Sequence, residues 1–204
     1  MRRFQGAYPA ALEATPPERF ERIQVLFRVL LLGAIGILHQ TVGGLFCALY
    51  FIVPIAAALA VRRNQGAGFR ADDRRVLLSV LEWVIAFTAY LLFVTDRFPL
   101  GESQRATRLV IFASGTPSVK SALARLFRTL PHAIVLSLLG VAAALVAFAS
   151  AVTVLVGERC PEVLQTFQRD VVAWVARVFA YHASLVDEYP PFALGTGDRA
   201  PVHQ

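Results

Sequence analysis

The chain has 204 residues, 56% of them apolar and only 17% charged, against about 25% charged in an ordinary soluble domain. The apolar residues are gathered into two uncharged runs, 33 residues from Val29 to Val61 and 28 from Thr129 to Val156, both longer than the roughly 20 a helix needs to cross hydrocarbon. That pattern excludes an ordinary soluble globule, and 2 cysteines with 13 Gly and 11 Pro exclude a disulfide scaffold and a collagen-like or disordered chain.

Residues 1–16 read as an N-terminal extension. Met1-Arg2-Arg3-Phe4-Gln5-Gly6 is basic but leads into no apolar core, so it does not read as a signal peptide. Pro17 to about Leu38 is an arginine-bearing amphipathic stretch whose Pro suits a first helical turn. About Val42 to Val61 is an apolar helix, and about Val76 to Thr95 a Trp-bearing helix stopped by Asp96 and Phe98-Pro99. The linker 101–116 holds an alternating run, Arg108-Leu109-Val110-Ile111-Phe112, which reads as one strand outside the bilayer with no identifiable partner. Pro117 to about Leu130 is a second amphipathic stretch. His132 to Val156 is a second apolar helix of 25 residues, about 37 Å long. Val171 to Val186 is a second Trp-bearing helix ending at Asp187 and Tyr189-Pro190-Pro191, and the tail 195–204 is polar and turn-rich.

These elements recur. Trp83, Ala89-Tyr90, Asp96 and Phe98-Pro99 match Trp174, Ala180-Tyr181, Asp187 and Tyr189-Pro190 at one offset of 91 residues, and His39 matches His132 at 93. A competing register aligns Leu26-Phe27-Arg28 with Leu126-Phe127-Arg128 at 100. The expected fold is an all-α integral membrane protein of two tandem repeats, 17–100 and 117–194. Each repeat is an amphipathic interfacial helix plus two apolar helices, about four spans in all. Counting Ile23 to Leu38 as a span gives five, and withdrawing the Trp-bearing helices leaves two.

The charge balance of +6 comes from 20 basic and 14 acidic residues, and Lys120 is the sole lysine. The arginines sit at the ends of apolar segments, where they anchor helices at headgroups, so nucleic acid is not an expected partner. Cys47 and Cys160 read as a small apolar filler and a free thiol. Glu82 and Arg177 are charges embedded in the Trp-bearing helices, each costing roughly 2.5 to 3.5 kcal/mol if alone at a bilayer centre. Three readings stay open for them: an ion pair, separate groups that reach the interface or another subunit, or part of a proton or ion path. With His182 they form the candidate intramembrane polar cluster. No Glu-x-x-His, His-x-x-x-His, phosphate loop or Gly-x-Ser-x-Gly occurs, so neither a metal, a cofactor nor a catalytic residue is expected. Trp83, Tyr90, Trp174, Tyr181 and Tyr189 read as interface anchors and core packing.

Leu130-Pro131-His132 before the long apolar helix, Trp174-Val175-Ala176-Arg177-Val178-Phe179-Ala180-Tyr181, and Asp187-Glu188-Tyr189-Pro190-Pro191-Phe192 together resemble the bacterial domain-of-unknown-function family 4389. The resemblance covers about Arg108 to Leu194, with a weaker copy over about Tyr8 to Leu100 that lacks the Pro before its His and has Ala86 in place of Arg177. It implies a bacterial multi-span membrane protein and brings no assigned activity. The expectation is a non-enzymatic accessory or scaffold subunit of a larger bacterial inner-membrane complex, in contact with lipids and other integral membrane subunits. The alternative is a lipid- or small-molecule-handling membrane protein with a site between the repeats.

Overall fold

The computed structural model describes residues 8–14, 16–39, 42–65, 68–100, 107–112 and 117–195. Their order is β1 (Ala10–Ala14), α1 (Arg22–His39), α2 (Val42–Arg63), α3 (Ala71–Leu91), β2 (Thr107–Ile111), α4 (Val119–Arg128), α5 (Leu130–Gly157) and α6 (Glu162–His182). Local chemistry sets several of these bounds. Ser118 caps α4 by accepting the Ser121 N–H at 3.1 Å. Pro131 lies in the first turn of α5, where its missing N–H costs nothing, and Glu158 ends that helix in the left-handed region at φ 55°.

Three layers result. The strands pair antiparallel with Leu12 opposite Leu109 and Glu13 opposite Arg108. Leu12 and Leu109 are buried while Glu13 and Arg108 face outward, the alternation a sheet with one covered face must show. β1 lies on α6 and β2 on α3, so these two helices form the middle layer. On their far side stand α1, α2, α4 and α5, with α5 against α6 and α2 against α4. Every residue of α6 and its C-terminal turn from Val171 to Val186 is buried. The main core gathers Leu12 and Leu109 from the sheet, Leu81 and Ile85 from α3, and Val172, Ala176 and Phe179 from α6.

This architecture corrects the sequence expectation in three respects. First, the chain is not all-α: the 107–111 strand does have a partner, supplied by residues 10–14. Second, four spans are not supported. Among the described residues one helix, Leu130–Gly157, is long and apolar enough to cross a membrane, and in its most apolar window only 17% of residues are buried. The Trp-bearing helices carry too many charges to be such spans, for a physical reason. They begin earlier than their apolar runs, taking in Asp72, Asp73, Arg74 and Arg75 in α3 and Glu162, Arg169 and Asp170 in α6, and they are the protein's own core. Third, two equivalent repeats are not supported, since the first helices of the two halves have 18 and 10 residues and the second helices 22 and 28. The side chain of His39 and the residues 1–7, 101–106, 113–116 and 196–204 lie outside the described residues.

Candidate functional site

Buried arginines dominate the polar interior. α3 ends with Phe93 at φ 60° and α6 with Ser184 at φ 59°. In each, two N–H groups fold back onto the last turn: Phe93 to Tyr90 and Val94 to Ala89, then Ser184 to Tyr181 and Leu185 to Ala180. This is a Schellman ending, whose carbonyls keep a second lone pair for further donors. Arg28 of α1 supplies them for α3. Its Nε donates to Tyr90 O at 2.8 Å, and its Nη2 to Thr95 O at 2.8 Å and Asp96 Oδ1 at 3.0 Å. Its guanidinium lies 4.2 Å from the ring centres of both Tyr90 and Phe93. Asp96 is fixed in turn by the Glu21 N–H, which donates to Oδ2 at 2.7 Å.

Arg125 of α4 does the same for α6. It donates to the Tyr181 and Val186 carbonyls and to Asp187 Oδ1, with its guanidinium 4.4 Å from the Tyr181 ring centre. Arg28 and Arg125 are 1% and 2% exposed, so each charge is held by a carboxylate, two carbonyls and an aromatic face in place of water. Neither arginine stood out in the sequence. The signal available was Asp96 and Asp187 recurring at helix ends, which demand a cationic partner if buried. The Arg28–Arg128 register does not hold, because Arg125 takes the role that Arg28 has in the other half.

The 130–192 region adds two histidine sites. His132 Nδ1 accepts from Trp174 Nε1 at 3.2 Å, and its ring stacks on Phe192 with centres 3.8 Å apart and Tyr189 at 5.0 Å. The Pro-His and Tyr-Pro-Pro-Phe segments therefore close on one another around a buried imidazole. At the end of α6, His182 is held between α2 and the C-terminal end of α4: Nε2 is 2.6 Å from Tyr50 O, Nδ1 is 2.9 Å from Thr129 Oγ1, and the Tyr50 ring stacks on it at 4.6 Å. Tyr50 OH also donates to the Leu126 carbonyl. Burial lowers the affinity of His182 for a proton, and the Arg125 charge adds to this against the two hydrogen-bonding carbonyls.

The residues singled out from the sequence are thus distributed among several contacts. Arg177 is buried in α6, its Nη2 donating to Ala193 O at 2.6 Å, while Tyr8 OH donates to the Glu188 carbonyl at 3.0 Å beside it. Glu82 is half-buried on α3 next to Trp83, which is 40% exposed and stacks on Phe87. Tyr90 and Tyr181 lie under the two arginines, Trp174 is buried against His132, and Tyr189 is half-exposed with its OH donating to Arg128 O at 3.1 Å. Among the described residues no group of three or more His, Cys, Asp or Glu is placed to hold a metal ion. What this arrangement does chemically is to fix helix ends and neutralise buried charge.

The segment that carries the Arg125 clamp and both histidine sites is also the one with relatives. Residues 120–193 match the family described as Domain of unknown function (DUF4389). The match supports the resemblance read from Pro131-His132 and Asp187-Glu188-Tyr189-Pro190-Pro191-Phe192. It begins at residue 120, so a second, tandem copy is not shown. No curated protein and no solved structure matches the chain.

Proposed function

We propose that this protein is a non-enzymatic membrane protein of the bacterial inner membrane, acting as an accessory or scaffold subunit of a larger assembly. The observation that carries the reading is the extent of apolar surface on the outer helix layer, together with a few charged groups held inside. The outer helix layer exposes large apolar side chains, among them Leu30 of α1, Phe51, Ile52 and Ile55 of α2, and Leu138, Leu145 and Phe148 of α5, the last three at 69–72% exposure. The charged and polar groups Arg28, Arg125, Arg177, His132, His182 and Gln168 are all at 2% exposure or less. Water-soluble monomers rarely expose contiguous apolar patches beyond a few hundred Å², whereas hydrocarbon favours that surface and disfavours the arginines.

The scaffold part of the proposal is supported by what the interior polar groups do. Arg28, Arg125 and His182 each end on carbonyls or side chains of neighbouring helices, which is the work of a rigid frame. Mild-detergent extraction from the native membrane, size separation and mass spectrometry test it. Stoichiometric co-migration with a larger complex is the expected result. Migration alone with a retained lipid overturns the scaffold reading in favour of the ligand-handling alternative, for which Arg177→Ala should abolish binding or flux while leaving assembly intact.

A further inference from the structure

The sheet, α6 and α5 lie side by side, and their alignment along α5 decides how the protein meets the membrane. Arg125, just before α5, touches Val186 and Asp187, just after α6. Further along, His132 meets Trp174, and Gln168 Nε2 donates to the Ala143 carbonyl at 2.8 Å. α5 and α6 are therefore antiparallel neighbours, with Gln168 level with the middle of α5. β1 lies along the opposite side of α6. Tyr8, before it, reaches the carbonyls of Arg177 and Glu188, and Pro16, after it, shares a cavity with Gln165, Thr166 and Arg169. The ribbon of β1 and β2 thus sits at the level of the N-terminal half of α5.

If α5, about 42 Å long at 1.5 Å per residue, stood across a bilayer, that ribbon would stand at hydrocarbon depth. Hydrocarbon tolerates no open sheet edge, because each unmet N–H or C=O costs several kcal/mol there. Among the described residues β1 and β2 pair only with each other, and the outward face of the ribbon carries Glu13 directly opposite Arg108, both exposed. A charged cross-strand pair of this kind is a surface built for water. The opposite face of the molecule is the apolar one. On α5 the exposed Ile134, Leu138, Val141, Leu145, Phe148 and Val152 follow one another at alternating spacings of about four and three, so they form one stripe along the helix.

We infer that the protein is monotopic: α5 lies along the membrane with its stripe in one leaflet, joined by the apolar faces of α1 and α2, and the β1–β2 ribbon faces water on the same side as both ends of α5. The occupant of the apolar layer is a lipid surface. This inference rests on the membrane reading above and replaces the multi-pass insertion expected from the sequence.

The test uses the full chain in its native membrane, with Cys47→Ser and Cys160→Ser as background. Single cysteines are placed by Leu130→Cys and Gly157→Cys at the two ends of α5, by Arg108→Cys on the ribbon and by Leu145→Cys in the stripe. Spheroplasts are treated with a membrane-impermeant maleimide before and after lysis. The expected result is that positions 130, 157 and 108 label from one side to within about twofold of one another, while Leu145→Cys is at least tenfold slower on both sides. A bimane label at 145 should be quenched more by a shallow than by a deep nitroxide lipid. Labelling of 130 and 157 from opposite sides overturns the inference and leaves the membrane reading standing. So does protection of 108 that persists after the detergent-purified chain is reconstituted alone in lipid vesicles, because the ribbon would then not face water. Rapid labelling of 145 from water, with release of the chain by carbonate, would instead overturn the membrane reading itself.

Discussion

Ser184 and Phe93 occupy the same place in two helix endings, and each holds a left-handed φ that L-residues adopt at a cost of about 1–2 kcal/mol. At Ser184 no side-chain contact offsets that cost, since its hydroxyl is buried and has no hydrogen-bond partner among the described residues. Ser184→Gly is therefore expected to raise unfolding free energy by about 1 kcal/mol, read by thermal or denaturant unfolding in detergent. Phe93→Gly should not help, because the Phe93 ring packs against Phe20 and the Arg28 guanidinium. The two clamps should also differ. The Asp96 side chain is 9% exposed and that of Asp187 43%, so water screens the second pair far more. Asp96→Asn is expected to cost about 3 kcal/mol and Asp187→Asn about 1 kcal/mol or less in the same assay. His182 sets a pH dependence. Its folded-state proton affinity is lowered by burial, so between the ordinary histidine value near 6.5 and its folded value the unfolded chain binds the extra proton. Stability is full above about pH 6.5 and falls as pH drops through that window. Burial lowers the proton affinity of His132 in the same sense, so His182→Gln should reduce the slope between pH 7.5 and 5.5 without abolishing it, and an unchanged slope would remove His182 as a source.

At the scale of elements, each helix was foreshadowed by apolar periodicity, and the strand at 107–111 by its alternation. β1 was not legible, because Ala10-Ala11-Leu12-Glu13-Ala14 has no β-branched or aromatic residue and acquires its conformation from its partner. This is the ordinary weakness of β propensity, which reports packing more than backbone preference. The Trp-bearing helices were legible as helices and misjudged in surroundings. An apolar helix buried by protein and one buried by lipid have the same composition, and only the contacts with Leu12 and Leu109 tell them apart. For α5 the surroundings can be tested directly. Leu138, Leu145 and Phe148 are exposed, so replacing all three by Ser removes apolar surface worth about 1.5–3 kcal/mol apiece when buried in hydrocarbon. The triple variant is expected to shift from the carbonate-resistant membrane fraction to the soluble one while keeping its helical circular dichroism. Unchanged partition would mean that this face does not meet lipid.

For the molecule as a whole, the sequence supports an apolar exterior and the DUF4389 segment, and it hides the way polar groups are shared between distant parts of the chain. Arg28 and Arg125 lie 68 and 62 residues from the aspartates they meet, a separation no local pattern records. Glu82 and Arg177 are conspicuous because they interrupt apolar runs; Arg177 is as buried as Arg28 and Arg125, which sit in ordinary amphipathic helices, and Glu82 is half-buried. The general reason is that a charge in an apolar run is conspicuous, whereas a charge on a mixed helix is conspicuous only once its face is known to be inward. Orientation in the membrane follows the same logic, since it depends on where the ribbon sits relative to α5.

The burial of α6 between the sheet and the outer helices has a further consequence, in time. α6 follows every other described element in the chain, so the helix in the middle of the structure leaves the ribosome after the elements it packs against. At roughly 5–20 residues per second, β1, α1, α2 and α3 exist for several seconds with the face that α6 will cover still open. During that interval α1 and α2 already present exposed apolar side chains that can seek a membrane, while α5 and the interior are still to come. Newly made chains should therefore reach the lipid surface before they become resistant to protease, and a chain arrested before residue 162 should bind membranes yet never acquire that resistance.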